Sequence, residues 1–237
     1  RGYGSNPGSE GDQGNTGGIA ASTRYGFGML ADITLQVENN PNDPGAGTRT
    51  VSFSRHLYLE SDDFLETPVP KYKRLFPGGP ECRLKGAYLI KCVGCVKDAD
   101  GRVTEVLCEY DPDSRGGDPA DGRKVKGATI HWVDAATAVD AEVRLYDNLF
   151  TDANPDAADK DFIECLNPGS LEVLTDCKVE AGLAAAADRY AESHEGGKTA
   201  PGYQFMRLGY FCLDNRDTKV GHPVFNRSVS LKDSFKK

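Results

Sequence analysis

The chain has 237 residues, which is enough for one large domain or two small ones with a buried core. Its 28 Lys and Arg against 36 Asp and Glu leave a net charge of −8, which by itself argues against a polyanionic partner. The sequence contains no membrane-span-length apolar run and no secretion signal at its start. Seven cysteines without such a signal favour reduced thiols in a cytoplasmic protein.

Residues 1–28 differ in composition from the rest of the chain. They hold nine of the 27 glycines and few large apolar side chains. Such a segment cannot bury enough apolar surface to offset the entropy of ordering it, so we predict a flexible glycine-rich leader. A phosphate-binding glycine loop is not supported, because no G-x-G-x-x-G or P-loop lysine follows a strand here.

From residue 29 onward the pattern predicts many short strands. Apolar and polar residues alternate at 33–37 and 51–53, and Asp98–Gly101 is a strong hairpin turn. Helix is predicted only around 157–166 and over the alanine-rich stretch 180–192. Short strands separated by Gly, Pro and Asp turns predict a mainly β chain of two barrels. The other strand candidates are 57–59, 86–97, 103–110, 125–133, 141–147, 171–179, 203–213 and 223–231.

Positive charge is concentrated in one part of this acidic chain. Residues 68–92 contain six basic residues against Glu81 alone, a net of +5, so the remainder carries −13. With Tyr72 and Tyr88 in or near the cluster, one surface could combine phosphate contacts with base stacking, which is typical of proteins that bind unpaired RNA. A solvated charged face is the alternative. The basic residues are Lys71, Lys73, Arg74, Arg83, Lys85 and Lys91, and a second cluster is Arg123, Lys124 and Lys126.

No pattern predicts a catalytic or metal site. Cys92 and Cys95 have the spacing of half a zinc site, but no second pair or histidine stands at ligand spacing, so buried thiols are predicted instead. His131 beside Trp132 is predicted to pack in a strand. No Ser/His/Asp or Cys/His arrangement indicates a nucleophilic enzyme.

Several longer strings resemble one family in the same order. Residues 120–127 read ADGRKVKG, residues 130–133 IHWV, residues 143–147 VRLYD, residues 209–214 GYFCLD and residues 224–227 VFNR. Together they are similar to the C-terminal, anticodon-binding part of the glutaminyl-tRNA synthetases, and the resemblance runs from about residue 34 to the end.

The resemblance implies a fold and a parent activity. The expected fold is two β-barrels of the ribosomal protein L25-like type, a distal barrel at 69–150 inserted into a proximal barrel at 29–68 and 151–237. The parent enzymes attach glutamine to its tRNA using ATP with magnesium, on a catalytic domain N-terminal to the barrels. This chain has neither HIGH-type nor KMSKS-type signature, so no catalytic residue, cofactor or activity of its own is expected.

The resemblance also implies a set of contacts with the anticodon loop of glutamine tRNA. Gln204 matches a glutamine that hydrogen-bonds the central anticodon base, and Asn42 falls in a loop with a base-contacting asparagine. Lys71 stands where the family commonly has glutamine. The remaining contacts implied by the match are Lys73, Arg74, Arg83, Lys85 and Arg207.

Three alternatives stay open. The equivalent region of a glutamyl-tRNA synthetase would prefer glutamate tRNA, an L25-like protein would prefer ribosomal RNA, and a β-rich protein-interaction domain would bind no RNA.

Overall fold

The computed structural model describes residues 23–27, 33–40, 42–157, 161–193 and 199–231. In these ranges the chain forms fourteen strands, one α-helix and four short 3₁₀ helices, so the prediction of a mainly β chain is confirmed. None of the helices described is long and apolar enough to cross a membrane. Residues 1–22 of the predicted leader lie outside the described ranges.

Turns and loops of different lengths join the elements of the described residues. The strands are β1 (Thr23–Phe27), β2 (Ile33–Glu38), β3 (Thr48–Phe53), β4 (His56–Leu59), β5 (Cys82–Leu84), β6 (Leu89–Lys97), β7 (Val103–Asp111), β8 (Thr129–Ile130), β9 (Val133–Asp134), β10 (Val139–Tyr146), β11 (Leu171–Val179), β12 (Gly202–Phe205), β13 (Gly209–Leu213) and β14 (Val224–Ser230). The α-helix, α1, spans Ala181–Ser193, and the 3₁₀ helices span Pro44–Ala46, Ser61–Asp63, Pro155–Ala157 and Phe162–Cys165.

The first half of the chain forms a seven-stranded sheet with a hairpin packed on it. The strand order is β8-β5-β6-β7-β1-β4-β9, and β2 and β3 pair with each other. Leu35 and Val37 in β2 are buried while Gln36 between them is exposed, because successive side chains of a strand point to opposite faces. The buried faces of sheet and hairpin share one hydrophobic cluster around Phe53 and Trp132.

The second half forms a five-stranded sheet in the order β11-β10-β14-β13-β12. Helix α1 contributes Leu183, Ala184 and Ala187 to the cluster below this sheet. Because alanine side chains are small, the helix can lie close to the sheet. Helix α1 therefore packs against the sheet although its sequence has no strong apolar stripe. At the centre, the Phe205 and Phe211 rings stack with their centroids 4.3 Å apart.

The described strands fall into two groups along the chain, and the expected bounds of the proximal and distal barrels stay a prediction. Strands β2 to β4, expected with 151–237, share a sheet or a core with β5 to β9. The second sheet is built from 139–230. Residues 23–27, which fall within the predicted leader, form β1 and pair with β4 and β7. Turn and alternation signals in a sequence identify strands but not their partners.

Local predictions hold at the hairpin between β6 and β7. The Asp98 carboxylate accepts hydrogen bonds from the amides of Asp100 at 3.0 Å and Arg102 at 2.8 Å, and Gly101 takes a left-handed φ of 79°. The predicted helix at 180–192 is confirmed as α1. Around 157–166 the described residues form 3₁₀ turns, of which Phe162–Cys165 is capped by the Asp161 side chain.

The cysteines are free thiols, and five of the seven are buried, as predicted. A bulge after Cys92 breaks the strand alternation, so that Cys92 and Cys95 both contact the first hydrophobic cluster. Burial raises the pKa of the Cys82 thiol to about 12. No group of three or more His, Cys, Asp or Glu suited to a metal ion occurs in the described part of the chain.

Candidate nucleic-acid interface

A loop over residues 69–75 carries the first predicted contacts with RNA. It is tied to the preceding 3₁₀ helix, because the Leu75 amide donates to the Asp63 carbonyl at 2.9 Å. The Tyr72 hydroxyl donates to the Asp62 carbonyl at 2.8 Å. These bonds hold the loop in one conformation and leave its basic side chains at the surface. The predicted contact residues on the loop are Lys71, Lys73 and Arg74.

Asp63 is the centre of this region and is fully buried. Its two carboxylate oxygens accept hydrogen bonds from Arg207 at 2.7 and 2.6 Å, a two-pronged ion pair. The Arg74 guanidinium lies against the same carboxylate at 3.4 Å. Asp63 therefore brings together two arginines that are predicted to contact RNA and that lie 133 positions apart in sequence. The two guanidinium groups and the one carboxylate carry a net charge of +1.

The Arg207 guanidinium is held in its charged form. Burial disfavours that charge, but the hydrogen bonds and negative charge of Asp63 outweigh burial and raise the pKa. Arg207 also has a left-handed φ of 66°, and its Nε is buried with no hydrogen-bond partner in the described ranges. A left-handed backbone conformation costs free energy in a residue other than glycine, so the surrounding structure must stabilise it. The ion pair with Asp63 provides this stabilisation for Arg207.

Arg83 and Lys85 lie on and just after β5. The Arg83 guanidinium contacts the Asp118 carboxylate at 2.9 Å and donates to the Gly117 carbonyl. Gly117 has a φ of +95°, and a Cβ there would lie 2.9 Å from the Arg83 side chain, so glycine is required for this approach. The Lys85 carbonyl accepts a hydrogen bond from the Trp132 indole at 3.0 Å. The backbone that carries both basic side chains is held in place, because Leu84 between them packs in the hydrophobic cluster around Phe53 and Trp132.

The other predicted contacts are more dispersed. Gln204 is half-buried on β12, directly opposite Tyr210 on β13 and three residues before Arg207. Asn42 is exposed in the turn between β2 and β3, where its backbone N–H donates to the side-chain oxygen of Asn40 at 2.9 Å. Lys71 and Lys73 are exposed, and Lys71 has a left-handed φ of 67°. The structure thus links Arg74 with Arg207 through the shared Asp63 carboxylate, and Gln204 lies near them because it is three residues before Arg207.

The second basic cluster does not supply three free cations. The Arg123 guanidinium makes ion pairs with Glu81 at 2.8 Å, Asp111 at 2.6 Å and Asp121 at 2.9 Å. The hydrogen bonds that its guanidinium donates to these carboxylates raise its pKa above the ordinary range. Its role is to hold the 121–123 turn to β5 and β7.

One residue predicted only to pack is placed at the junction of the two sheets. His131 is buried between β8 and β9, and burial lowers its pKa to about 3, with the positive charges of Lys85, Arg49 and Arg207 adding to the effect. Arg49 is itself anchored by Glu180, with Nε to Oε1 at 2.9 Å. Sequence reasoning missed Arg49, because nothing in its local sequence marks a partner 131 positions away.

Comparison with protein families gives matches over the segments that hold these side chains. Two family models described as "tRNA synthetases class I (E and Q), anti-codon binding domain" match residues 24–111 and 129–214. The chain belongs to this family of anticodon-binding domains. The first match contains the basic residues from Lys71 to Lys85, and the second contains Gln204 and Arg207.

Curated relatives from several bacteria agree with the family assignment. Over 204 residues the chain is 48% identical to a glutamine–tRNA ligase of Clostridium kluyveri, and over 202 residues it is 50% identical to that of Aliivibrio fischeri. The ligase of Pseudomonas putida is 45% identical over 217 residues. These alignments cover 86%, 85% and 90% of this chain. The chain spans only 34% or 35% of the length of these relatives.

Proposed function

We propose that the chain recognises the anticodon loop of glutamine tRNA. The observation that carries this proposal is that both matches to anticodon-binding models fall on the segments that hold the basic surface and the Arg74–Asp63–Arg207 cluster. The relatives named above are glutamine–tRNA ligases, which favours glutamine tRNA over glutamate tRNA, although the family description includes both.

The chemistry of the side chains fits an unpaired loop. Gln204 offers a donor and an acceptor and can read the edge of a base, whereas arginine and lysine bind phosphate and carbonyl oxygens. In this proposal Lys73, Arg74, Arg83 and Lys85 contact the anticodon bases and their phosphates. Asn42, Lys71 and Arg207 complete the contact set.

The same resemblance extends to the longer parent protein. We infer that the parent attaches glutamine to its tRNA in the cytoplasm, using ATP and magnesium on a separate catalytic domain, and that the present chain binds tRNA without catalysing the reaction. An assay of the chain alone for charging of glutamine tRNA should give no product.

A titration at one fixed salt concentration tests the proposal. The chain is mixed with labelled glutamine tRNA, the same tRNA with a changed anticodon, glutamate tRNA and a 5S ribosomal RNA fragment. We expect the tightest binding to glutamine tRNA and a loss of at least tenfold on changing the anticodon. Equal affinity for the first two would leave only nonspecific phosphate contact and refute the proposal. Preference for glutamate tRNA or the 5S fragment would assign the chain to one of the alternatives.

A further inference from the structure

Two cysteines stand opposite each other in the first sheet. Cys92 on β6 is the register partner of Cys108 on β7, and both are buried, at 1% and 4% exposure. Opposite residues of an antiparallel pair project from the same face, so both thiols lie in the hydrophobic cluster around Phe53 and Trp132. In the described strands no other cysteine is paired with a cysteine. Cys82 stands opposite Ile90, Cys95 opposite Val106, Cys177 opposite Ala141, and Cys212 opposite Gly202 and Asn226.

The backbone geometry makes this a close pair. Opposite residues in an antiparallel ladder alternate between hydrogen-bonded pairs and non-hydrogen-bonded pairs, and in the latter the Cα atoms are about 4.5 Å apart. The Cys92 carbonyl accepts a hydrogen bond from the Gly78 amide at 3.1 Å, and Gly78 belongs to the segment that leads into β5. Because β5 and β7 flank β6 on opposite edges, this carbonyl points away from Cys108. The two cysteines therefore form a non-hydrogen-bonded pair.

A disulfide between these cysteines requires only a small movement. A Cα separation of about 4.5 Å falls within the roughly 4.4–6.8 Å that disulfides span. The Cβ atoms of opposite residues are about 4.5–5.5 Å apart, whereas those of a disulfide are about 3.5–4.5 Å apart. A bulge interrupts the ladder directly after Cys92, so β6 can bend at this point to bring the two sulfurs together.

The two thiols have different roles in an oxidation. They share a hydrogen bond, which lowers the pKa of the Cys92 thiol and, together with burial, raises the pKa of the Cys108 thiol. The thiolate is the nucleophile in thiol chemistry. Cys92 is therefore the thiol that reacts first with an oxidant, and Cys108 is placed to react with the product.

The pair lies at the edge of the buried part of the β6–β7 hairpin. Among residues 93–107, which connect the two cysteines, only Val106 is buried, and Val93 and Leu107 beside the pair are exposed. A hairpin end with few buried side chains opens locally at a low cost in free energy. A small oxidant therefore reaches the thiols when the hairpin end opens, without unfolding of the hydrophobic cluster.

We propose that Cys92 and Cys108 form a reversible oxidation site, at which a peroxide converts the two thiols into an intramolecular disulfide. The Cys92 thiolate attacks one peroxide oxygen, the O–O bond breaks, and the departing hydroxide and the thiol proton form water, which leaves a sulfenic acid at Cys92. The Cys108 sulfur then attacks the Cys92 sulfur, the S–O bond breaks, and the hydroxide leaves as water with the Cys108 proton.

The reaction is balanced by the peroxide alone. Two thiols and one hydrogen peroxide give one disulfide and two waters, with the sulfurs oxidised and the peroxide reduced. A dithiol reductant reverses the modification by thiol–disulfide exchange. Capture of the sulfenic acid by Cys108 also prevents its irreversible oxidation to the sulfinic acid. This inference does not depend on RNA binding.

Peroxide treatment of the native chain tests the proposal. The reduced chain is freed of reductant, treated with hydrogen peroxide, alkylated and digested with trypsin. The tryptic peptide 92–97 contains Cys92 and Cys95, and the peptide 103–115 contains Cys108. Cys95→Ser is the control variant, because it leaves Cys92 as the one thiol of the first peptide. Cys92→Ala removes the thiol that reacts first, and tryptophan fluorescence checks that each variant is folded.

We expect the same linked peptides in the wild type and in Cys95→Ser. Mass spectrometry should show a link between 92–97 and 103–115 that is at least tenfold more abundant than any other linked pair, and dithiothreitol should restore both thiols. The link should be absent in Cys92→Ala.

Two results would overturn the proposal. One is folded Cys95→Ser protein in which Cys92 and Cys108 stay reduced, or become sulfinic acids, after peroxide treatment. The other is the same distribution of linked peptides after treatment in urea as in the native state, because the fold then does not select this pair. Both results come from chains that retain Cys92, so the test holds even where Cys92→Ala does not fold.

Discussion

The buried carboxylate of Asp63 provides the sharpest test of how the two halves of the chain are joined. Replacing it with asparagine keeps the size of the side chain and removes its charge. Arg207 then loses a two-pronged partner at 2.7 and 2.6 Å, and Arg74 loses a contact at 3.4 Å. The substitution leaves the backbone of the 3₁₀ helix Ser61–Asp63 unchanged, so the Asp63→Asn variant tests the ion pairs alone.

The expected cost follows from the burial of each partner. Removing one member of a buried ion pair costs about 3–5 kcal/mol, since the other charge remains uncompensated. The Arg207 side chain keeps 27% exposure and Arg74 keeps 37%, so water replaces part of the lost interaction. The Arg74 contact then contributes about 0.2–1 kcal/mol, as exposed pairs do. We expect Asp63→Asn to lower the free energy of unfolding by about 3 kcal/mol.

Urea unfolding followed by tryptophan fluorescence measures this loss. Trp132 is the only tryptophan and lies in the first hydrophobic cluster, to which the 3₁₀ helix is attached. The control is Asp62→Asn, an exposed neighbour whose replacement should change stability by less than about 0.5 kcal/mol. If Asp63→Asn and Asp62→Asn unfold at the same urea concentration, the ion pairs do not stabilise the fold and the reasoning is refuted. A double-mutant cycle with Arg207→Met then reports the coupling directly.

Three further outcomes are expected. Gly127→Ala would place a Cβ 2.2 Å from a neighbouring carbonyl oxygen and should destabilise by about 1–3 kcal/mol, whereas Gly94→Ala, with no atom within 4 Å, should change urea unfolding little. His131 has a folded pKa of about 3 against 6.5 unfolded, so its unfolded form binds more protons and stability falls as pH falls through this window. From pH 7 to pH 5 the wild type should lose about 2 kcal/mol more than His131→Asn, and equal losses would contradict burial of a neutral ring. Arg83→Ala should weaken binding to an anticodon stem-loop by about 1–3 kcal/mol, and the same loss for the exposed Lys91→Ala would remove its specific role.

Local chemistry could be predicted from the sequence because it depends on near neighbours. The Asp98–Gly101 turn, the alternating strand at 33–37 and the helix over 180–192 each follow from residues a few positions apart. The mainly β class follows from the number of such strands. Predicting these features therefore requires no knowledge of contacts between residues that are distant in sequence.

Long-range partners could not be predicted in the same way. Strand β1 lies within a glycine-rich stretch and gains its structure from pairing with β4 and β7, which are distant in sequence. Nothing in the local sequence of Asp63 marks it as buried, yet it is fully buried because Arg207, 144 positions away, neutralises it. The basic residues were visible in the sequence. The buried carboxylate that positions two of them was not.

The affinity of Asp63→Asn for RNA separates two roles for that carboxylate. Removing a negative charge next to Arg74 and Arg207 would by itself strengthen attraction to phosphate. However, the same change frees the Arg207 guanidinium and leaves that of Arg74 with its hydrogen bond to the Asp62 carbonyl at 3.1 Å. Ordering a freed long side chain on binding costs about 0.5–1.5 kcal/mol. Asp63 leaves several of the ten guanidinium N–H donors available for RNA while fixing their direction. We therefore expect the folded Asp63→Asn variant to bind the anticodon stem-loop several-fold more weakly despite its extra positive charge. Tighter binding in a titration at fixed salt would show that net charge, and not preorganised arginines, governs recognition.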